Sequence, residues 1–202
     1  MTREQFASRL LNACASVMAA EQELTEIDSK FGDADHGLTM AKIARAITEA
    51  VEDAGGIQTM LDDAAMAVMS LNGGSAVPLW NTWLDGLQEE APEGEEIDVP
   101  GIQTIFAKAL EELNEMSGAQ VGDKTMMDAL IPAVEAAQKA KDDVMAVLEA
   151  AKGAAARGAK ESEQYVSKYG RARSYKEKTI GTPDAGAVST SLFFAGLCDG
   201  LK

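Results

Sequence analysis

The chain has 202 residues and a formal net charge of −15, long enough for one sizeable core and too acidic for a nucleic-acid backbone or an anionic membrane surface to be its partner. Hydrophobic residues make up 46% of it and aromatic residues only 5%, so the core is expected to be Ala, Leu, Val and Met, a composition that favours close-packed helices. No apolar run approaches the roughly 20 residues of a spanning helix, and the start MTREQFASRL has no apolar signal segment, so a cytoplasmic location is expected.

Apolar residues recur at helical spacing, as in Phe6, Leu10, Cys14, Val17 and Met18 or in Val144, Val147, Leu148 and Ala151, and nothing alternates like a strand. Cutting at Gly, Pro and polar clusters predicts about eight helices, near residues 2–25, 37–53, 57–71, 76–89, 101–117, 124–138, 141–166 and 184–200. An all-α fold follows: a single domain over residues 1–202, a bundle or barrel of about eight antiparallel helices. Gln88 to Pro100, with Glu89, Glu90, Glu93, Glu95 and Glu96, reads as a solvated acidic loop. Cys14 and Cys198 sit in apolar helical patterns at opposite ends of the chain, which suits buried free thiols better than a disulfide or a metal pair.

The first interruption, Glu26-Ile-Asp-Ser-Lys-Phe-Gly-Asp-Ala-Asp-His-Gly-Leu-Thr39, carries the most chemistry. Asp28, Asp33 and Asp35 offer hard anionic oxygens within eight residues, beside the chain's single histidine, His36. Gly32 and Gly37 let the backbone turn tightly enough to aim them at one centre. Magnesium held this way keeps some waters and takes further ligands from substrate phosphates. A calcium EF-hand is excluded, because counting from Asp28 or Asp33 places Thr39 or Ala44 where its bidentate glutamate must stand.

Three later segments also break the helical pattern. In Leu71-Asn-Gly-Gly-Ser-Ala-Val-Pro-Leu79, Gly73 and Gly74 precede a helix start with Ser75 as a candidate N-cap. Exposed amides at such a start can hold an anion, although a plain helix-helix turn uses the same residues. In Gly122-Asp-Lys-Thr-Met-Met-Asp128, Asp123 could cap and Lys124 could meet phosphate, or both could belong to a capped surface helix. Lys168, Arg171, Arg173, Lys176 and Lys178 supply five of 18 basic residues within eleven positions. On a strongly acidic protein, that loop suggests pairing with an anion, for which Arg is suited to bidentate phosphate contact. It is read as a long loop without secondary structure of its own.

In order and spacing these four segments resemble the dihydroxyacetone kinase L-subunit family, the nucleotide-binding component of glycerone-type kinases. The resemblance covers essentially the whole chain and rests on Asp28 with Phe31-Gly-Asp-Ala-Asp-His-Gly37, the turn ending in Pro78-Leu79, Gly122-Asp-Lys-Thr-Met126, Gly170-Arg-Ala with Tyr175, and Asp184-Ala-Gly-Ala187. It implies a closed barrel of eight antiparallel helices with nucleotide at one rim. It further implies that Asp28, Asp33 and Asp35 ligate two magnesium ions bridging the phosphates of ADP or ATP. His36, Gly37, Leu38 and Thr39 would contact the nucleotide, His36 through phosphate and Thr39 by its hydroxyl. Ser75 and Ala76 would face phosphate, Ser117 and Met126 the adenine, while Arg171, Asp184, Ala185 and Gly186 would form the closing loop. No catalytic residue beyond this metal-nucleotide site is expected on the chain.

The chain departs from the family pattern in places. The usual Gly-Ala-Ser-Gly-Pro turn reads Gly74-Ser-Ala-Val-Pro78, which shifts the hydroxyl by one residue and puts Val77 where a glycine stands. The closing run reads Gly170-Arg-Ala-Arg-Ser-Tyr-Lys-Glu-Lys178, and Ala185 replaces a proline. Dihydroxyacetone and a four-carbon ketose both stay open as substrates. The leading reading is a phosphotransferase subunit that works with a ketose-binding K-type subunit, since in the family a histidine on that subunit holds the ketone. A phosphohistidine carrier of the sugar phosphotransferase system would recharge bound ADP, or ATP would be consumed. The alternative is a nucleotide-sensing regulatory subunit acting on a protein partner.

Overall fold

The computed structural model describes residues 1–52 and 55–200, except for the side chain of residue 52; the last residue of the predicted 37–53 helix lies outside them. Among the described residues the α-helices are α1 (Arg3–Ala19), α2 (Glu21–Asp28), α3 (His36–Glu52), α4 (Ile57–Met69), α5 (Ala76–Glu89), α6 (Val99–Ser117), α7 (Met127–Lys139), α8 (Val144–Glu161) and α9 (Ala185–Asp199). Two 3₁₀ stretches, Ser162–Gln164 and Arg171–Thr179, fill the long connection between α8 and α9. Strand pairing among the described residues is limited to an isolated antiparallel bridge between Thr2 and Glu96.

Side-chain caps account for several helix starts. Thr2 and Gln5 form a reciprocal capping box at α1, Asp98 accepts from Gly101 N at α6, and Asp143 accepts from Ala146 N at α8. The predicted 2–25 helix instead breaks at Ala20, whose φ of −95° and ψ of 10° separate α1 from α2. No Gly or Pro marks that break. The predicted 141–166 helix stops at Glu161, where a single 3₁₀ turn takes over.

Successive helices pack side by side around a ring, α1 on α3, α3 on α4, and so on to α8 on α9, and α9 returns to α1. The ring is therefore a closed barrel of eight helices, with α2 continuing α1 and packing on α3. Each helix of the ring packs on the one that follows it in the chain, and neighbours run antiparallel. Its interior is lined by Leu10, Met40, Ile43, Ile47, Leu61, Trp83, Phe106 and Phe194, all fully buried. The few aromatics cluster across α5, α6 and α9: Trp80 and Phe193 lie 4.9 Å apart by ring centroids, and Phe106 and Phe194 lie 5.8 Å apart. Cys14 and Cys198 are buried and free, as expected, and burial pushes the Cys14 thiol up to about 12.

The Gln88–Pro100 connection differs from a purely solvated loop. Ala91 and Ile97 are buried, and the segment anchors the N-terminus through Arg3 N to Glu95 O (2.7 Å) and Ile97 N to Met1 O (2.9 Å). This seals the barrel end opposite the acidic motif. At the other end lie the C-termini of α2, α4, α6 and α8 and the N-termini of α3, α5, α7 and α9, so all four singled-out segments share one rim.

Candidate metal and nucleotide site

Asp28, Asp33 and Asp35 each offer one carboxylate oxygen, and the three atoms lie within 4.8 Å of one another. Asp28 is the last residue of α2, not part of the loop, and its Oδ2 accepts from Asp35 N (3.1 Å) and His36 N (3.5 Å). It thereby ties the C-terminus of one helix to the start of the next. Ala34 takes a φ of 60°, unusual for a residue with a side chain, and reverses the chain between the two exposed acids. Gly32 closes the turn over Asp28, where a Cβ would lie 1.9 Å from Asp28 Oδ1. Gly37 does the same for α2 and α3, since its Cβ would lie 2.0 Å from Glu21 O.

Crowding shows in the electrostatics. Desolvation in the turn, followed by the neighbouring Asp33 and Asp28 carboxylates, pushes the Asp35 carboxyl above its usual range, with Arg171 opposing. Three close carboxylates with one guanidinium opposite suit a hard divalent cation, whose charge relieves their repulsion. The donor set fits magnesium.

His36 spans α3 and α9. Its Nε2 lies 3.0 Å from Ser189 Oγ, and that hydroxyl donates to Gly186 O (3.0 Å), which ties the start of α3 to the first turns of α9. Burial holds the imidazole below its ordinary pKa, which favours the neutral ring. Ser189 adjoins the candidate site and was not singled out from the sequence; its signal is the polar run Ser189-Thr190-Ser191 in an otherwise apolar helix. Leu38 is exposed on the rim and Thr39 is buried beneath it.

The Gly73–Ser75 turn stands over this group. A Cβ at Gly74 would lie 3.8 Å from Asp35 Oδ2, and one at Gly73 would lie 3.1 Å from Thr39 Cγ2. Ser75 occupies the N-cap position of α5 but has helical angles and no capping hydrogen bond, because Val77 N bonds to Gly74 O instead. Its hydroxyl stays exposed beside half-buried Ala76. Val77 is buried, packs toward Gly73 and sits within α5, so the turn does not need the glycine found there in the family pattern.

The expectations for Asp123 and Lys124 change. Asp123 does not cap α7; its Oδ2 accepts from Gln120 N (2.9 Å) and its Oδ1 from Lys168 Nζ (2.6 Å). The Lys124 ammonium is buried among main-chain carbonyls and does not face the rim. The α7 start is held by Asp128, also missed, whose two oxygens accept from Gly122 N (2.6 Å) and Thr125 N (2.7 Å). Met126 precedes α7 and faces Gly186, whose Cβ would lie 3.4 Å from Met126 Cβ. Ser117 ends α6 with its hydroxyl turned to its own chain, accepting from Ala119 N (3.2 Å).

The basic segment is not a structureless loop. Its 3₁₀ run kinks at Lys176 (φ 52°) and reaches the acidic motif twice, through Arg171 Nη2 to Asp33 Oδ2 (2.9 Å) and through Tyr175 on Phe31, with ring centroids 5.2 Å apart. Asp184 caps α9 by accepting from Ala187 N (2.8 Å), which places Ala185 and Gly186 at the head of that helix. The structure thus brings Asp28, Asp33, Asp35, His36, Gly74 and Arg171 around one point, with Met126 and Gly186 forming a second wall.

The described residues thus form a closed eight-helix barrel that carries a carboxylate trio, a glycine turn and a basic arm on one rim. Residues 30–199 match the DAK2 domain. The chain is 30% identical over 186 residues, covering 89% of it and 88% of the relative, to the PEP-dependent dihydroxyacetone kinase, ADP-binding subunit DhaL, of Escherichia coli. It is 34% identical over 196 residues to a D-erythrulose kinase of Mycolicibacterium smegmatis and 36% over 195 residues to an L-erythrulose kinase of Pectobacterium atrosepticum. Those matches cover 93% and 90% of this chain, which spans about a third of the two enzymes' lengths (34% and 32%). The crystal structure of the dihydroxyacetone kinase from C. freundii in complex with AMP-PNP and Mg2+ aligns with a TM-score of 0.72 at 25% identity, over 96% of this chain and 33% of that one. The chain belongs to the DAK2 domain family, in its DhaL type. No helix among the described residues is long and apolar enough to cross a membrane.

Proposed function

We propose that residues 1–202 act as one cytoplasmic, nucleotide-binding kinase L domain: a phosphotransferase subunit of a small-ketose kinase. Asp28, Asp33 and Asp35 would hold magnesium, which when bound neutralises phosphate charge and fixes its geometry. The observation that carries this reading is the approach of three carboxylate oxygens within 4.8 Å on the rim that also bears Arg171.

The chain's own groups divide the remaining work. Arg171 offers two parallel donors to phosphate oxygens, and the exposed Ser75 hydroxyl offers one more. Thr39 would contribute its hydroxyl from below, with His36 and Gly37 setting the floor and Leu38 the apolar edge. Met126, Ser117 and Gly186 would border adenine, while Asp184 and Ala185 fix the end of the closing arm. Phosphoryl transfer needs charge compensation and alignment more than covalent help from the protein, which agrees with the absence of any candidate nucleophile in this set.

The ketose would be held elsewhere. The chain has one histidine, His36, which lies within hydrogen-bond distance of Ser189. A separate K-type subunit is the partner this reading requires, and the relatives named as ADP-binding subunits support it. The names of the relatives support both dihydroxyacetone and erythrulose as substrates, and the PEP-dependent subunits favour a phosphohistidine carrier that recharges bound ADP over consumption of ATP.

The test is reconstitution with a K-type subunit, comparing the two ketoses and both donor systems. Phosphorylated ketose should form with wild type and disappear with Asp33→Ala. Nucleotide binding without turnover under any donor would instead favour a sensing subunit.

A further inference from the structure

Lys124 combines two uncommon features. Lysine is rarely buried and bulky residues rarely take positive φ, yet Lys124 is 5% exposed with a φ of 62°. All three ammonium hydrogens have carbonyl acceptors, Ser162 O at 2.6 Å, Tyr165 O at 3.1 Å and Thr182 O at 2.6 Å. Ser162 and Tyr165 precede the basic arm and Thr182 follows it. One ammonium therefore closes the loop base.

The surrounding contacts reinforce that base. Adjacent Asp123 accepts from Lys168 twice, at its carbonyl from Lys168 N (3.1 Å) and at Oδ1 from Lys168 Nζ (2.6 Å). Asp128 pins the strained turn from the other side, through Gly122 N and Thr125 N. The turn then continues into Met126, against Gly186. Both walls of the site hang from the same few residues.

We propose that Lys124 is a positioning residue for the nucleotide: by clamping both ends of the 166–181 arm to the turn that leads into Met126, it sets how far Arg171 and Tyr175 reach toward Asp33 and Phe31. The inference rests on the nucleotide-binding reading above. A neutral apolar side chain of similar length fills the space but takes the ammonium donor from the Tyr165 and Thr182 carbonyls, leaves Ser162 O with Tyr165 N alone, and leaves the arm with a free base. The arm must then be ordered by the ligand itself, at the expense of affinity.

Hydrogen-deuterium exchange of the ligand-free full chain, paired with calorimetry of ADP in magnesium, compares wild type with Lys124→Met. The variant should exchange faster across 166–181 with α4 and α6 unchanged, and its Kd for ADP should rise roughly tenfold. Unchanged exchange overturns the clamp. Faster exchange with an unchanged Kd overturns the positioning role and leaves only a structural anchor. If Lys124→Met does not fold by circular dichroism, Lys124→Gln, which keeps two donors, decides by the same two readouts. Wild type that fails to bind ADP with magnesium would overturn the nucleotide reading, while the exchange result, which needs no ligand, still judges the clamp.

Discussion

Arg171 Nη2 lies 2.9 Å from Asp33 Oδ2, which puts the guanidinium on a carboxylate that the proposed site assigns to a cation. The two side chains are 72% and 40% exposed, so the pair stabilises the fold by no more than about 1 kcal/mol. Its consequence is positional. A cation that claims the Asp33 oxygen releases the guanidinium at the place where phosphate would arrive.

Arg171→Ala should therefore separate binding from stability. Its melting temperature should stay close to wild type, whereas the Kd for ADP with magnesium should rise by about one to two orders of magnitude, the range for a lost charge-assisted contact of about 1.5–3 kcal/mol. Calorimetry and thermal melts on the same samples check this. An unchanged Kd would remove Arg171 from the site.

Asp28 and Asp33 should behave differently in chelator. Asp28 accepts from two backbone amides between α2 and α3, and Asp28→Ala should lower the unfolding free energy by about 1–3 kcal/mol. Asp33→Ala loses only an exposed ion pair and relieves repulsion from Asp35, so its change should stay within about 1 kcal/mol. Urea unfolding of both variants checks the difference, and both should lose magnesium-dependent ADP binding.

The sequence revealed the barrel's helices because apolar spacing and Gly or Pro punctuation mark most of their ends; α5 was expected and found at Ala76–Glu89. Asp28, Asp33, Asp35 and His36 were legible because acids and glycines gather in a short span that separates two periodic runs. The break at Ala20 was not legible, since nothing in its chemistry forbids a helix. Lys124 misled for a related reason: a lysine at a polar helix start looks solvated until the 162–182 chain is seen to bury it. The 3₁₀ arm also depends on partners remote in sequence, Asp33 and Phe31, which no local pattern announces.

Asp184 should give stability a measurable pH dependence. Burial pushes its carboxyl from 3.8 up to about 7, with the Ala187 amide and Lys124 opposing. A carboxyl whose folded pKa is raised holds its proton more tightly when folded, so its contribution is fully present below the unfolded value and is lost as pH rises toward the folded one. Asp184→Asn keeps an acceptor at the α9 cap without the titration. Wild type should lose stability relative to this variant between about pH 4 and pH 7, and parallel urea profiles would contradict it.

In the proposed site a divalent cation joins the carboxylate trio to the nucleotide, because three carboxylates would otherwise repel a polyphosphate. Calorimetric titration of ADP into the full chain, first with magnesium and then in excess chelator, tests it most directly. Binding should be saturable with magnesium, lost in chelator and restored when magnesium is returned. Equal affinity in both conditions would contradict it.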